Sequence, residues 1–255
     1  MKNTIIFLFA MFISLAAQDK SVQSGVYHWK DLAFAETRQI KKSEIFEGST
    51  ALLKSLKTEV IILNPVENNS ITFSPSIEQR LIIVKDGNPS FILDGKEKLL
   101  GPQSIITVSP NDNLVCRTSG NESATVYVFS YNTGKPADIS RVDTAGSSFM
   151  INFNDLEFHP HDKGGLWDYY RKPTAMFGYT EMHVTSLNGN IKSHEPHTHN
   201  AAEFVLMISG NSEMQIGNEF YKAEAGDLYY LESNVPHAIQ NISNEPCRYF
   251  AIQWE

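Results

Sequence analysis

Cysteine is nearly missing from this chain: Cys116 and Cys247 are the only two in 255 residues. They stand far apart and at positions that do not correspond between the two halves of the sequence. We read both as small buried side chains rather than as a disulfide staple, which a chain of this length does not need. Positive charge is also scarce, with 21 Lys and Arg against 29 Asp and Glu and a net charge of -8. That balance excludes nucleic acid as a partner. Long hydrophobic runs are absent too. The longest, Ile5 to Leu15, spans 11 residues, whereas about 20 are needed to cross a hydrocarbon layer of ~30 Å, so no membrane anchor is expected. An extended amphipathic helical period is likewise missing, and Ile45 to Lys57 is the one stretch whose spacing admits a short helix.

What the first residues do contain is a positive start at Lys2, the apolar run, and a small-x-small cleavage site at Ser14-Leu15-Ala16. Residues 1–17 therefore read as a secretory signal peptide, which predicts a secreted or periplasmic protein. No cysteine lies near the cleavage point to carry a lipid. Without Lys2 the mature chain has 20 basic against 29 acidic residues.

The remainder repeats itself. Trp29-Lys30-Asp31-Leu32-Ala33-Phe34 returns as Phe153-Asn154-Asp155-Leu156-Glu157-Phe158, 124 residues later. Thr58-Glu59 opens an apolar run as Thr180-Glu181 does, and Leu81 to Gly87 parallels Phe204 to Gly210. Gly101-Pro102 is paralleled by Gly226-Asp227 at a similar offset. Between these landmarks lie short runs of β-branched and aromatic residues, such as Val60 to Leu63, Ile105 to Val108, Val126 to Phe129 and Tyr249 to Trp254. Gly, Pro, Asn and Asp separate them at about ten-residue spacing, the pattern of an antiparallel barrel or sandwich. The fold class predicted is all-β, with an N-terminal domain over 18–135 and a C-terminal domain over 149–255. The Gly-, Ser-, Asp- and Lys-containing stretch from Asn132 to Ser148 serves as linker.

Chemistry concentrates in the second half. Successive side chains of a strand alternate faces, so His197, His199 and Glu203 share one side of an unbroken strand. Gly210 ends that run, a hairpin continues through Glu213 to Ile216, and Gly226-Asp227 leads by way of Asn234-Val235-Pro236 to His237 and Asn241. The patterns His197-x-His199-x3-Glu203-x6-Gly210 and Pro236-His237-x3-Asn241, with Gly226-Asp227 between them, resemble the two signature motifs of the cupin superfamily. The resemblance covers Lys192 to Asn241 directly, and the internal repeat extends it to a two-domain cupin, or bicupin. It implies two tandem jelly-roll β-barrels, and it implies that His197, His199, Glu203 and His237 ligate one divalent transition metal ion, such as Mn, Fe, Zn, Ni or Co. A homodimer is family habit.

The front copy departs from that pattern. Counting back from Gly87, the ligand positions hold Ser74, Ser76 and Arg80, and the stretch matching His237 holds Asp112, Asn113 and Leu114. None of these makes a transition-metal site, so the front barrel is expected to be structural and metal-free.

Three imidazoles and one carboxylate leave a net single positive charge on a divalent ion and one or two positions open to water or substrate. The expected function is an exported metal-dependent enzyme acting on a small oxygenated substrate, a sugar acid or uronate-containing oligosaccharide. The step would be of lyase, dehydratase or isomerase type, because cupins that open or isomerise unsaturated uronates take part in polysaccharide breakdown. Two other classes stay open: a dioxygenase similar to the bicupin flavonol dioxygenases, and a non-catalytic carbohydrate-binding bicupin. Ureidoglycine aminohydrolases share the architecture, but their ligand pattern begins with Glu where this chain has His197. Candidate catalytic residues are Glu181 and His183, which share a parity on the strand before the metal motif, and Lys163 and Arg171. These last two belong to His159 to Arg171, a segment read as a loop over a barrel mouth that offers cations to an anionic substrate. His194, three residues from His197, falls on the opposite face of an ideal strand.

Overall fold

The computed structural model describes residues 20–118, 121–138, 140–141 and 147–255. The segment read as a signal peptide and the middle of the linker lie outside the described residues. Among the described residues no helix is long and apolar enough to cross a membrane.

The expected all-β architecture is present as two barrels, each made of a seven-stranded and a smaller antiparallel sheet. In the first barrel the large sheet runs Phe149–Ile151, Ile105–Val108, Gln79–Asp86, Ala124–Asn132, Ser55–Leu63, Ile40–Gly48 and Ala35–Glu36. In the second it runs Gly25–Tyr27, Leu228–Leu231, Ala202–Ser209, Cys247–Trp254, Thr180–Leu187, Gly164–Lys172 and His159–His161. The order is the same in both. The outermost strand of each, however, comes from the other half of the chain: Gly25–Tyr27 pairs with Leu228–Leu231, and Phe149–Ile151 pairs with Ile105–Val108. The halves exchange one strand reciprocally, and each exchanged strand runs into a short 3-10 turn, Trp29–Asp31 or Phe153–Asp155, which is the sequence echo noted above.

The span Ile45 to Lys57 holds no helix. It divides between the strands Ile40–Gly48 and Ser55–Leu63, because pairing along both edges of Ser55–Leu63 satisfies its backbone groups within the sheet.

Strand alternation sorts the apolar residues into three cores. Ile82, Val84, Phe91, Leu93, Leu114, Cys116, Val126 and Val128 fill the first barrel. Leu187, Val205, Met207, Met214, Tyr229, Ile239, Cys247 and Tyr249 fill the second. The opposite faces of the two large sheets pack against one another through Leu56, Val60, Phe129, Tyr131, Phe204, Tyr230, Phe250 and Trp254. Aromatic contacts cross this third core: Phe129 and Phe204 have ring centroids 4.8 Å apart, and Tyr131 and Trp254 5.3 Å. Both cysteines are buried and free.

The exchanged strand is tied down by Asp227, which is 2% exposed. Its carboxylate accepts hydrogen bonds from the backbone N–H of Trp29 at 2.8 Å and of Glu224 at 3.0 Å, and it lies 2.8 Å from His28 Nδ1. Gly226 beside it has φ of +95° and packs against Trp29, so a Cβ here would be both strained and crowded. In the first barrel Ser104 Oγ accepts from Phe153 N. Gln103-Ser104, rather than Gly101-Pro102, is thus the structural counterpart of Gly226-Asp227, and the sequence parallel was out of step by two residues.

Two outcomes follow for this frame. Asp227→Ala should lower unfolding free energy by about 3 kcal/mol in denaturant titration, because three partly buried partners, Trp29 N, Glu224 N and His28, lose their acceptor at once. Burial pushes the Cys116 thiol up to about 12 and the Cys247 thiol to about 11. Neither should react with a thiol reagent at pH 8 in the folded protein, and both should react in denaturant.

Candidate metal centre

His197 and His199 precede the strand Ala202–Ser209 rather than lying on it, so simple alternation does not align them with Glu203. Their placement comes from pairing with the other motif. His197 and His237 exchange both backbone hydrogen bonds, at 3.2 and 3.0 Å, and Asn234 N donates to His199 O at 2.9 Å. His237 starts the strand His237–Asn241, which pairs with Ser212–Ile216 in the small sheet. The fold thereby brings the two motifs together: one ring nitrogen from each of His197, His199 and His237 lies within 4.8 Å of the others.

Glu203 sits beneath them, 6% exposed. Its Oε2 is 3.3 Å from His199 Nε2, 3.3 Å from His237 Nε2, and accepts from Gln253 Nε2 at 3.3 Å. Burial alone would raise the carboxyl, but the His199 and His237 imidazoles override that and hold it at about 2. The Glu203 carboxylate lifts His199 above its ordinary value, whereas burial and then the neighbouring imidazoles lower His197.

The donor set fits a metal. His199 Nδ1 is 2.8 Å from Ala201 O, and His237 Nδ1 is 2.8 Å from Val235 O. A carbonyl only accepts, so each Nδ1 carries a proton, and the Nε2 turned toward the carboxylate is the nitrogen left either to take a further proton, which gives the ion pair that lowers Glu203, or to ligate a metal ion. Acceptors facing one another at this distance require a cation between them, either an added proton on a ring or a metal ion.

The cluster opens into a cavity of about 320 Å³. Its polar side is lined by His161, Lys163, His183, Ser193, His194 and Gln253 together with His197, Glu203 and His237. Its apolar side is lined by Leu187, Val205, Met214, Ile239, Tyr249 and Ala251. Of the candidate catalytic residues, His183 and Lys163 line it and Glu181 and Arg171 do not. His183 Nδ1 stands 3.5 Å from Glu181 Oε1. Glu181 also accepts from Tyr179 Oη, and from Arg171 Nη2 at 2.7 Å. His183 first, then Arg171 and Tyr179, hold the Glu181 carboxyl well below the usual carboxylate range. Arg171 itself is largely exposed.

The segment His159 to Arg171 is a hairpin rather than a loop. His159–His161 pairs with Gly164–Lys172, and the turn between them sets Lys163 at the cavity. His194, which strand parity had turned away, swings in because the chain bends at Ser193–Glu195. Its Nδ1 lies 3.1 Å from His197 Nδ1. Gln253 was not singled out from the sequence. A lone glutamine in a terminal strand carries no chemical signature, and only its position opposite Glu203 gives it a role.

Pairing also fixes the counterparts in the first barrel. Glu203 faces Leu231 and Gln253, as Arg80 faces Val108 and Ser130. His237 faces Ile216, as Leu114 faces Leu93. Arg80 and Leu114 therefore stand where the second barrel has Glu203 and His237, and Asn111 N donates to Ser76 O as Asn234 N does to His199 O; with Ser74 two residues before, where His197 stands, these positions bring no imidazole or carboxylate.

Residues 184–253 match the Cupin domain family model. No curated protein matches the chain in sequence. Among solved structures, an oxalate decarboxylase from Lactobacillus farciminis, in a formate complex, is similar with a TM-score of 0.69 at 13% identity, covering 92% of this chain and 87% of that one. The protein Ylba from E. coli gives 0.69 at 15%, covering 94% and 95%. A cupin 2 conserved barrel domain protein from Leptotrichia buccalis gives 0.60 at 13%, covering 92% and 98%. These likenesses establish the cupin jelly-roll fold for both barrels.

Replacing His199 or His237 by Ala should abolish stoichiometric metal while leaving the circular dichroism spectrum intact, since the barrel cores do not include these rings. A chelator should lower the thermal midpoint of the metal-loaded native protein and leave that of His237→Ala unmoved. One metal per chain retained in both variants would refute this ligand set.

Proposed function

We propose that this chain is an exported, metal-dependent enzyme that acts on a small sugar acid or uronate-derived fragment by a lyase, dehydratase or isomerase step. The observation that carries the reading is the shared cavity: the imidazole and carboxylate cluster of the second barrel and His183, which Glu181 holds from outside the lining, face one space. Only that barrel is assigned a metal, because the first offers Ser74, Ser76, Arg80 and Leu114 at the matching places. A divalent ion held by His197, His199, Glu203 and His237 supplies Lewis-acid stabilisation of negative charge developing on a substrate oxygen.

The chain's own side chains do the rest. Glu181, fixed by Arg171 and Tyr179, keeps the proton of His183 on Nδ1. His183 Nε2 is then free to take a proton from the carbon beside the substrate carboxylate and to return it, either to a neighbouring carbon or to a departing hydroxyl. Lys163 receives an anionic group at the rim, and the apolar wall keeps water from the reacting carbon. The cavity lies at the lower end of the roughly 300–1,000 Å³ typical of small-molecule sites, which suits one sugar acid better than a polymer. The oxalate decarboxylase neighbour acts, by its name, on a small carboxylic acid, which agrees with this reading. The apolar wall favours one competing reading, a dioxygenase of the flavonol-dioxygenase kind.

Elemental analysis of the protein from its native compartment, then incubation with sugar acids and unsaturated uronate oligosaccharides with and without oxygen, separates the readings by product mass. Water loss or an isomer formed without oxygen is the expected result. Oxygen uptake would replace it with the dioxygenase, and unchanged sugars on a fully metallated protein would overturn it. His183→Gln should lower turnover about 10²- to 10⁴-fold with metal content unchanged.

A further inference from the structure

We propose that the substrate is a small diacid, with one acidic group taken at the imidazole–carboxylate cluster and a second, separate one taken by the ammonium of Lys163. The inference rests on the metal-dependent sugar-acid reading and narrows its substrate class.

Charge at the cavity is the starting point. Among the described residues that line it, Lys163 is the one side chain with a fixed positive charge and Glu203 the one carboxylate. Glu203 is already engaged by His199, His237 and Gln253. It is therefore not a partner for Lys163. Among the described residues, lysines such as Lys41, Lys57 and Lys192 stand within ion-pair distance of a carboxylate, while exposed ones such as Lys54, Lys96 and Lys222 do not. Lys163 has no such carboxylate among the described residues. Its Nζ donates instead to a backbone carbonyl, Ser193 O, at 2.7 Å. An ammonium has three donors, so two remain to be satisfied by what enters the cavity.

The position is also built rather than incidental. Lys163 O accepts from Asn188 N at 2.9 Å, and Lys163 N donates to His161 Nδ1 at 3.2 Å. Gly164, at φ of +137°, lets the hairpin press so close to the neighbouring strand that a Cβ would fall 2.0 Å from Ser186 O. Backbone on both sides of Lys163 is thus pinned, and little ordering remains when an anion binds. The apolar wall, with Leu187, which pairs with Gly164 beside Lys163, and with Val205, Met214 and Ile239, offers nothing to a charged group. A ligand with two acidic groups satisfies both polar ends of this space and lays its carbon skeleton on that wall. A monoacid leaves the ammonium without an anion.

The test is calorimetric titration of Zn(II)-loaded protein with matched pairs, malonate against acetate and glucarate against gluconate, using the native chain, Lys163→Met and Lys163→Arg. Metal content and circular dichroism confirm that each variant is folded and loaded. In the native protein each diacid should bind at least tenfold more tightly than its monoacid. That ratio should fall to about one in Lys163→Met and recover in part in Lys163→Arg. Equal affinities in the native protein, or a ratio that survives Lys163→Met, would overturn the diacid assignment while leaving the sugar-acid reading standing. No binding of any acid by the loaded native protein would overturn both.

Discussion

Burial of the strand Ala202–Ser209 on both of its faces constrains more of this molecule than any other contact. Ala202, Phe204 and Leu206 enter the core shared by the two large sheets, while Glu203, Val205 and Met207 turn into the second barrel. A shift of one residue would send Phe204 into the cavity and Glu203 into an aromatic cluster, so the register is held by hydrophobic burial on one side and by charge on the other. A buried carboxylate is costly unless it is paired. Glu203 is paired by imidazoles that arrive from two separate segments, and those segments meet because His197 and His237 bond backbone to backbone.

The same frame is filled differently in the two halves. Ile82, Phe91, Leu114 and Val128 close the first barrel at positions where the second has Val205, Met214, His237 and Ala251. At each of these positions the first barrel has the bulkier or more apolar occupant, and its interior becomes packed core. In the second barrel the smaller apolar residues and the ring of polar ones leave about 320 Å³ open beside the cluster. The two are inseparable in structure, because each completes its partner's large sheet with one strand and the shared aromatic core lies between them.

Much of this was legible in the sequence because it depends on local periodicity. Alternating apolar residues, turn residues at regular spacing and the repeat from Trp29 to Phe153 gave the all-β class and the doubling. The motif spacing marked His197, His199, Glu203 and His237 as a group. Periodicity misled where it was weakest: Ile45 to Lys57 admits a helical reading, yet sheet pairing on both edges decides for strand. The parallel of Gly101 with Gly226 was drawn on residue type, whereas Gln103 and Ser104 make the corresponding contacts with quite different side chains.

What the sequence determined by itself, then, is which residues alternate, where turns fall and which side chains are able to bind a metal, since each of these is a property of neighbours along the chain. Tertiary structure alone decided the reciprocal strand exchange, the turn of His194 toward His197, the seat of Gln253 against Glu203, and the division of the polar hairpin into Lys163 inside the cavity and Arg171 outside it. These arise from backbone pairing and burial between segments far apart in sequence, and no local pattern encodes the direction in which a bend or a hairpin finally points.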